Sequence, residues 1–202
     1  MIDYRCRLEA GKFYHIYNRG NNGENLFYNI ENYKYFLRKY DEYLSPFLST
    51  FSFCLLPNHF HLLVRIKYGY EVNVSHFLNV KHLETNISKQ FQSLFTSYAK
   101  SINKQENRKG SLFQKPFKRI AVNNINYLTN LVFYIHANPQ MHGIIDDFRM
   151  YLWSSYERIL KNKPSKLEKE SVLEWFADKN NYVAYHYKTA DLIDIKHLIV
   201  EE

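Results

Sequence analysis

The chain has 202 residues, 46% apolar and 23% charged, with 27 Lys and Arg against 20 Asp and Glu and a formal charge of +7. Those values fit one globular domain with at most an appendage, and they exclude a disordered, collagen-like or low-complexity polymer. Aromatic residues reach 17%, with 18 Tyr and 15 Phe; a basic, aromatic chain suits phosphate holding and base stacking, but an AT-rich coding sequence produces the same bias. The two cysteines, Cys6 and Cys54, form no close pair, which points to a reduced, cytoplasmic setting and away from a Cys-based zinc site. No run approaches the ~18 apolar residues of a membrane span, and MIDYRCRLEAGK has no apolar leader core, so a soluble, unprocessed protein without a membrane partner is expected.

Taken in chain order, KFYHIYNR reads as a first strand between Gly11 and Gly20, ending in the turn NRGNNGEN. From Ile30 to Tyr43, Tyr33, Phe36, Leu37 and Tyr40 recur at helical spacing, and Ser45-Pro46 ends the helix. LSTFSFCLL and HFHLLVRIK, separated by Pro57-Asn58, form a tight β-hairpin. A polar loop from Lys67 to Asn73 precedes a long helix from about Glu84 to Gln105, striped by Ile87, Phe91, Leu94, Phe95, Tyr98 and Ile102. PFKRIAV is a further strand; Asn123 and Asn124 then supply N-cap chemistry for INYLTNLVFYIHA, which Pro139 closes. The order β-α-β-β-α-β-α predicts an α+β fold with a mainly antiparallel sheet. Residues 1–160 are read as the main domain. Residues 161–202 are read as a charged linker, KNKPSKLEKES, followed by a short helical tail containing VLEWF and YVAYH.

The string LPNHFHLLVRI carries the most chemistry. Strand alternation puts His59, His61, Leu63 and Arg65 on one face and Phe60, Leu62, Val64 and Ile66 on the other. The second face must pack on helices. The first presents two imidazoles about 6–7 Å apart along the strand, able to share one metal ion. No third ligand is near in sequence, and no Asp or Glu lies between Pro46 and Tyr70, which counts against a hydrolase built on carboxylates.

His59-Phe60-His61 resembles the HUH motif (His, hydrophobic, His) of the single-tyrosine transposases, the insertion-sequence enzymes and their REP-associated relatives. The likeness extends through YHIYNRGNNGENLF, RKGSLFQKPFKRI, YIHANPQMHGI and WSSY, over residues 12 to 158. It implies a ferredoxin-like HUH endonuclease domain with a divalent ion, Mg²⁺ or Mn²⁺, no nucleotide cofactor, and a single-stranded or hairpin DNA partner. Both monomers and homodimers are compatible with it.

Composition cannot select one nucleophile among 18 tyrosines. In INYLTNLVFYIHANP, Leu128, Leu131, Val132 and Ile135 form the buried stripe, with Tyr127, Tyr134 and Asn138 on its flank and the last two adjacent at i, i+4. The resemblance carries the catalytic tyrosine to Tyr134 and the third metal ligand, after His59 and His61, to Asn138. Tyr127 is read as packing and His136 as a surface or DNA-facing residue. A tyrosine hydroxyl, with a reference pKa of ~10, needs assistance to attack a phosphate at neutral pH. Attack by Tyr134 would expel a 3′-hydroxyl and leave a 5′-phosphotyrosine.

The DNA-facing candidates are Arg108, Lys109, Lys115, Lys118 and Arg119, interleaved with Phe113 and Phe117 as base-stacking residues, together with Asn18, Arg19 and Arg65. Trp153, Ser154 and Ser155 are read as packing against the domain. Two alternatives stay open beside a transposase: a domesticated DNA-binding relative without cleavage, and an HUH replication initiator or relaxase, for which 202 residues leave little room.

Overall fold

The computed structural model describes residues 3–72, 83–122 and 124–190, so the expected capping role of Asn123 and the end of the loop at Asn73 lie outside the described residues. The strand β1 (Phe13–Arg19) is followed by α1 (Ile30–Tyr43), whose start is fixed by Asn29, its side chain accepting the Asn32 N–H at 3.1 Å. The hairpin strands β2 (Leu48–Leu56) and β3 (His59–Ile66) turn at Pro57-Asn58 as read from the sequence. The Pro57 carbonyl accepts the N–H groups of Leu26 (2.7 Å) and Phe27 (2.9 Å), tying this turn to the segment after β1.

Helix α2 (Leu83–Gln105) leads to β4 (Lys118–Val122) and α3 (Ile125–Met141). The four strands lie in the order β2, β3, β1, β4, each neighbouring pair antiparallel, the split arrangement expected of a ferredoxin-like β-α-β-β-α-β chain. The α+β expectation is met.

One sheet face carries Tyr14, Ile16, Phe60, Leu62, Val64 and Ile66 into a core shared with Phe36 of α1 and Phe91, Leu94 and Tyr98 of α2. The other face meets α3, where Leu63 joins Leu128, Leu131, Val132, Phe133 and Ile135. Three short helices follow: α4 (Tyr156–Leu160), α5 (Lys169–Trp175) and α6 (Lys179–Ala190). Tyr156, Val172 and Tyr182 of these helices, with Phe176 just past the end of α5, cover the far side of α3, so α3 is buried nearly all round.

The structure departs from the sequence reading at two places. Pro139 does not close α3, which runs on to Met141; the proline sits in the last turn, where the ladder ends within a few residues and a missing N–H disrupts little. Phe113 and Phe117 are not stacking platforms for bases: Phe113 is buried in the core and Phe117 packs on Phe91 at 4.7 Å between ring centroids.

Candidate active site

The site starts from the register of β1 against β3. His59 lies opposite Arg19, His61 opposite Tyr17, and Leu63 opposite His15, so alternation brings His15, Tyr17, Arg19, His59 and His61 to the face that α3 covers. His59 is 5% exposed and His61 fully buried, their rings 5.2 Å apart and nearly perpendicular.

Each histidine has its Nδ1 engaged. His59 Nδ1 lies 2.6 Å from Asn58 Oδ1; an amide oxygen only accepts, so Nδ1 carries the proton and donates. His61 Nδ1 lies 2.9 Å from His15 Nε2. A cation would therefore be taken by the two Nε2 atoms. Cys54, the register partner of His61 on β2, stays a thiol because burial pushes its pKa well above the usual value.

From the opposite side, α3 presents a stripe at i, i+4 and i+8. Tyr134, 1% exposed, sets its ring edge-on to His61 at 5.5 Å and to His15 at 6.0 Å. His142, just past the helix end, lies against His59 at 4.8 Å, and its N–H donates to the Asn138 carbonyl at 3.0 Å. Asn138, between them on the stripe, thus lies over the histidine pair. Its Nδ2 donates to the Tyr134 carbonyl at 2.9 Å, while Oδ1 is buried with no hydrogen-bond partner.

A buried, unmatched amide oxygen on the helix that crosses two oriented imidazoles fits a hard or borderline divalent ion such as Mg²⁺ or Mn²⁺. Among the described residues no three His, Cys, Asp or Glu side chains are grouped to hold a metal. An ion here would rest on His59, His61, the Asn138 amide and water.

The cationic candidates separate by position. Arg19 is exposed beside His59. Lys118 lies opposite Tyr17 and reaches over that ring at 5.6 Å, and Tyr17 in turn stacks on His61 at 5.5 Å, so Lys118 borders the site. Lys109 and Lys115 are exposed. The others are engaged elsewhere. Arg65 holds Glu71 with two nitrogens, at 3.0 and 2.8 Å, at the end of β3 remote from His61. Arg108 pairs with Glu24 and donates to Asn103 Oδ1 at 2.7 Å. Arg119 projects to the other face, where its Nε donates to the Cys6 carbonyl at 2.6 Å. Asn18 is also on that face, 4% exposed, and accepts the Arg19 N–H through Oδ1 at 2.9 Å. Gly20 lies close against its own chain: its N–H donates to the Asn58 carbonyl at 2.8 Å, and an added Cβ would fall 2.0 Å from the Glu24 carbonyl oxygen.

His136 needs a correction. It is fully buried, not surface or DNA-facing, and bridges Ser155 Oγ at 2.7 Å to His186 Nε2 at 3.0 Å; the tail helix α6 covers the face of α3 that the sequence left open. Tyr127 is half-buried and packs, as read. Trp153 stacks on Tyr33 at 4.4 Å and Ser155 accepts the Phe53 N–H at 2.9 Å, so that segment packs as expected. The sequence reading passed over His15, Tyr17, Asn58 and His142. A signal existed for the first two, which share strand parity with Arg19.

No family model matches this chain. A Haemophilus influenzae protein named as a REP-associated tyrosine transposase is 28% identical over 116 residues, 57% of this chain and 62% of that protein's length. The chain thus spans less than two thirds of that relative. A solved structure of a REP-associated tyrosine transposase bound to a REP hairpin superposes with a TM-score of 0.55 at 16% identity, over 81% of this chain and 89% of the other. The chain is a distant relative of this family in sequence and shares its fold. Among the described residues no helix is long and apolar enough to cross a membrane.

Proposed function

We propose that this chain is a metal-dependent, single-tyrosine transposase that cleaves and rejoins single-stranded DNA, with hairpin-bearing ends as substrate. The observation that carries the reading is the meeting of Tyr134 on α3 with His61 on β3, at 5.5 Å between ring centroids, with the unmatched Asn138 oxygen one helical turn further on. The distant relationship and the shared fold support the same reading.

His59, His61 and Asn138 would hold a divalent ion, which when bound supplies charge neutralisation and orientation at a phosphate oxygen. Tyr134 Oη then forms the new bond to phosphorus as it gives up its proton, and the bond from phosphorus to the 3′-oxygen breaks. That oxygen takes up a proton, and the 5′-phosphate stays on the tyrosine. Rejoining is the reverse: a 3′-hydroxyl attacks, the bond to Tyr134 breaks, and Oη recovers its proton. One phosphodiester replaces another, so no nucleotide cofactor is needed. Arg19 and Lys118 border the site from β1 and β4 and would hold neighbouring phosphates, with exposed Lys109 and Lys115 extending the basic track.

Incubation with Mn²⁺ and single-stranded hairpin oligonucleotides is expected to trap a covalent protein–DNA adduct, seen as a shifted band in a denaturing gel, and Tyr134→Phe should abolish it. An adduct that survives Tyr134→Phe sinks the assignment of the nucleophile. Binding without any adduct from the native chain would leave DNA binding as the function.

A further inference from the structure

His15 has no part in the chemistry above, yet its ring lies within hydrogen-bond distance of a candidate ligand, His61. The register places it opposite Leu63 and therefore diagonal to His61 on the same sheet face, a separation that long or aromatic side chains bridge. Its Nε2 lies 2.9 Å from His61 Nδ1. The ring centroids are 5.1 Å apart with planes 24° from parallel, so the rings meet nearly edge to edge, along the in-plane direction of the nitrogen lone pairs. His15 is 2% exposed and His61 0%. Tyr17 packs on both rings, at 4.9 and 5.5 Å, and Tyr134 stands edge-on to both.

We propose that His15 is the positioning residue for His61. It accepts the His61 Nδ1–H, which fixes the tautomer that leaves the Nε2 lone pair for a divalent ion and locks the plane in which that lone pair points. Asn58 Oδ1 serves His59 in the same way from the adjacent position. The two supports differ in origin: the one for His59 is local, and the one for His61 comes from a strand 46 residues away. His15 is not itself a ligand through Nε2, since that atom faces His61. Without the acceptor, a buried Nδ1–H would lose its partner and the ring could take either tautomer.

The inference rests on the proposed metal site, and direct titration of the full chain with Mn²⁺ separates the two. His61→Ala should abolish binding. His15→Phe, which refills the ring stack without an acceptor, should weaken binding about 10–100-fold, while His15→Gln, whose carboxamide oxygen falls near the Nε2 position, should restore most of it. Equal binding by the native chain and His61→Ala would overturn the site itself. Loss in His61→Ala with native affinity in His15→Phe would overturn only the positioning role, and so would equal losses in the Phe and Gln variants at unchanged thermal stability, which would mean packing alone. Should His15→Phe fail to fold, ¹⁵N NMR of the native imidazoles decides: a His61 proton on Nδ1 is expected, and one on Nε2 refutes the proposal.

Discussion

At residue scale, the buried chain through His136 has a direction set by its ends. His186 Nδ1 lies 2.8 Å from the Tyr182 carbonyl, which only accepts, so Nδ1 donates and Nε2 is an acceptor. His136 Nδ1 must then donate to His186 Nε2, and the Ser155 hydroxyl to His136 Nε2. Both rings are thereby neutral, and a further proton has no acceptor waiting. Burial, reinforced by a second histidine, holds His136 well below the usual histidine value, and burial brings His186 down to about 4. A histidine with a depressed folded pKa binds fewer protons folded than unfolded, so its contribution to stability is complete above about 6.5 and is lost as pH falls toward 4. Denaturant unfolding should show stability falling as pH drops below about 6.5, with a slope for each of the two groups that approaches about 1.4 kcal/mol per pH unit near pH 5. In His186→Phe, whose ring stays among Phe133, Phe176 and Tyr182, the slope should drop by the share of one proton; an unchanged slope would exclude His186 as its source.

At the scale of elements, β3 divides its work by face. Phe60, Leu62, Val64 and Ile66 are buried on the α1 and α2 side, while His59 and His61 meet α3. Phe60 packs on Phe36 at 5.2 Å, and Phe60→Ala is expected to cost about 3–5 kcal/mol of stability. Below the denaturation midpoint the folded fraction should still bind Mn²⁺ with native affinity, because the opposite face is unchanged. Denaturation curves beside metal titrations check this, and a parallel loss in both would deny the separation of faces. This division was legible in LPNHFHLLVRI, since alternation within one strand is a local property. Partnerships between strands were not. His15 sits on the first strand with the parity of Tyr17 and Arg19, and only the β1–β3 register reveals that it meets His61. Helix α3 misled for a related reason. Its stripe of Leu128, Leu131, Val132 and Ile135 reads as one buried side, whereas α5 and α6 bury Phe133 and His136 as well. Phe113 and Phe117 looked like stacking residues because basic residues surround them, and a hydrophobic position facing α2 leaves the same trace in the sequence.

At the scale of the whole molecule, one chain carries every part of the candidate site. The sheet holds the histidines, α3 crosses their face with Tyr134 and Asn138, and the tail helices close over its back. The resemblance is compatible with monomers and homodimers alike, and the 5.5 Å separation of Tyr134 and His61 within one chain favours a tyrosine that serves its own chain. Burial of α3 on two sides strengthens this: lending the helix to a second molecule would strip Val132, Phe133 and Ile135, all fully buried, from their packing at roughly 1.5–3 kcal/mol per side chain exposed. Adduct formation should therefore be first order in protein, its rate constant per chain unchanged across a hundredfold dilution at saturating DNA. Mixing Tyr134→Phe with His61→Ala should give no adduct, since neither chain holds both a nucleophile and a complete set of ligands. An adduct on the His61→Ala chain in that mixture would mean that its tyrosine had reached the partner's metal site, and that α3 leaves its own sheet during the reaction.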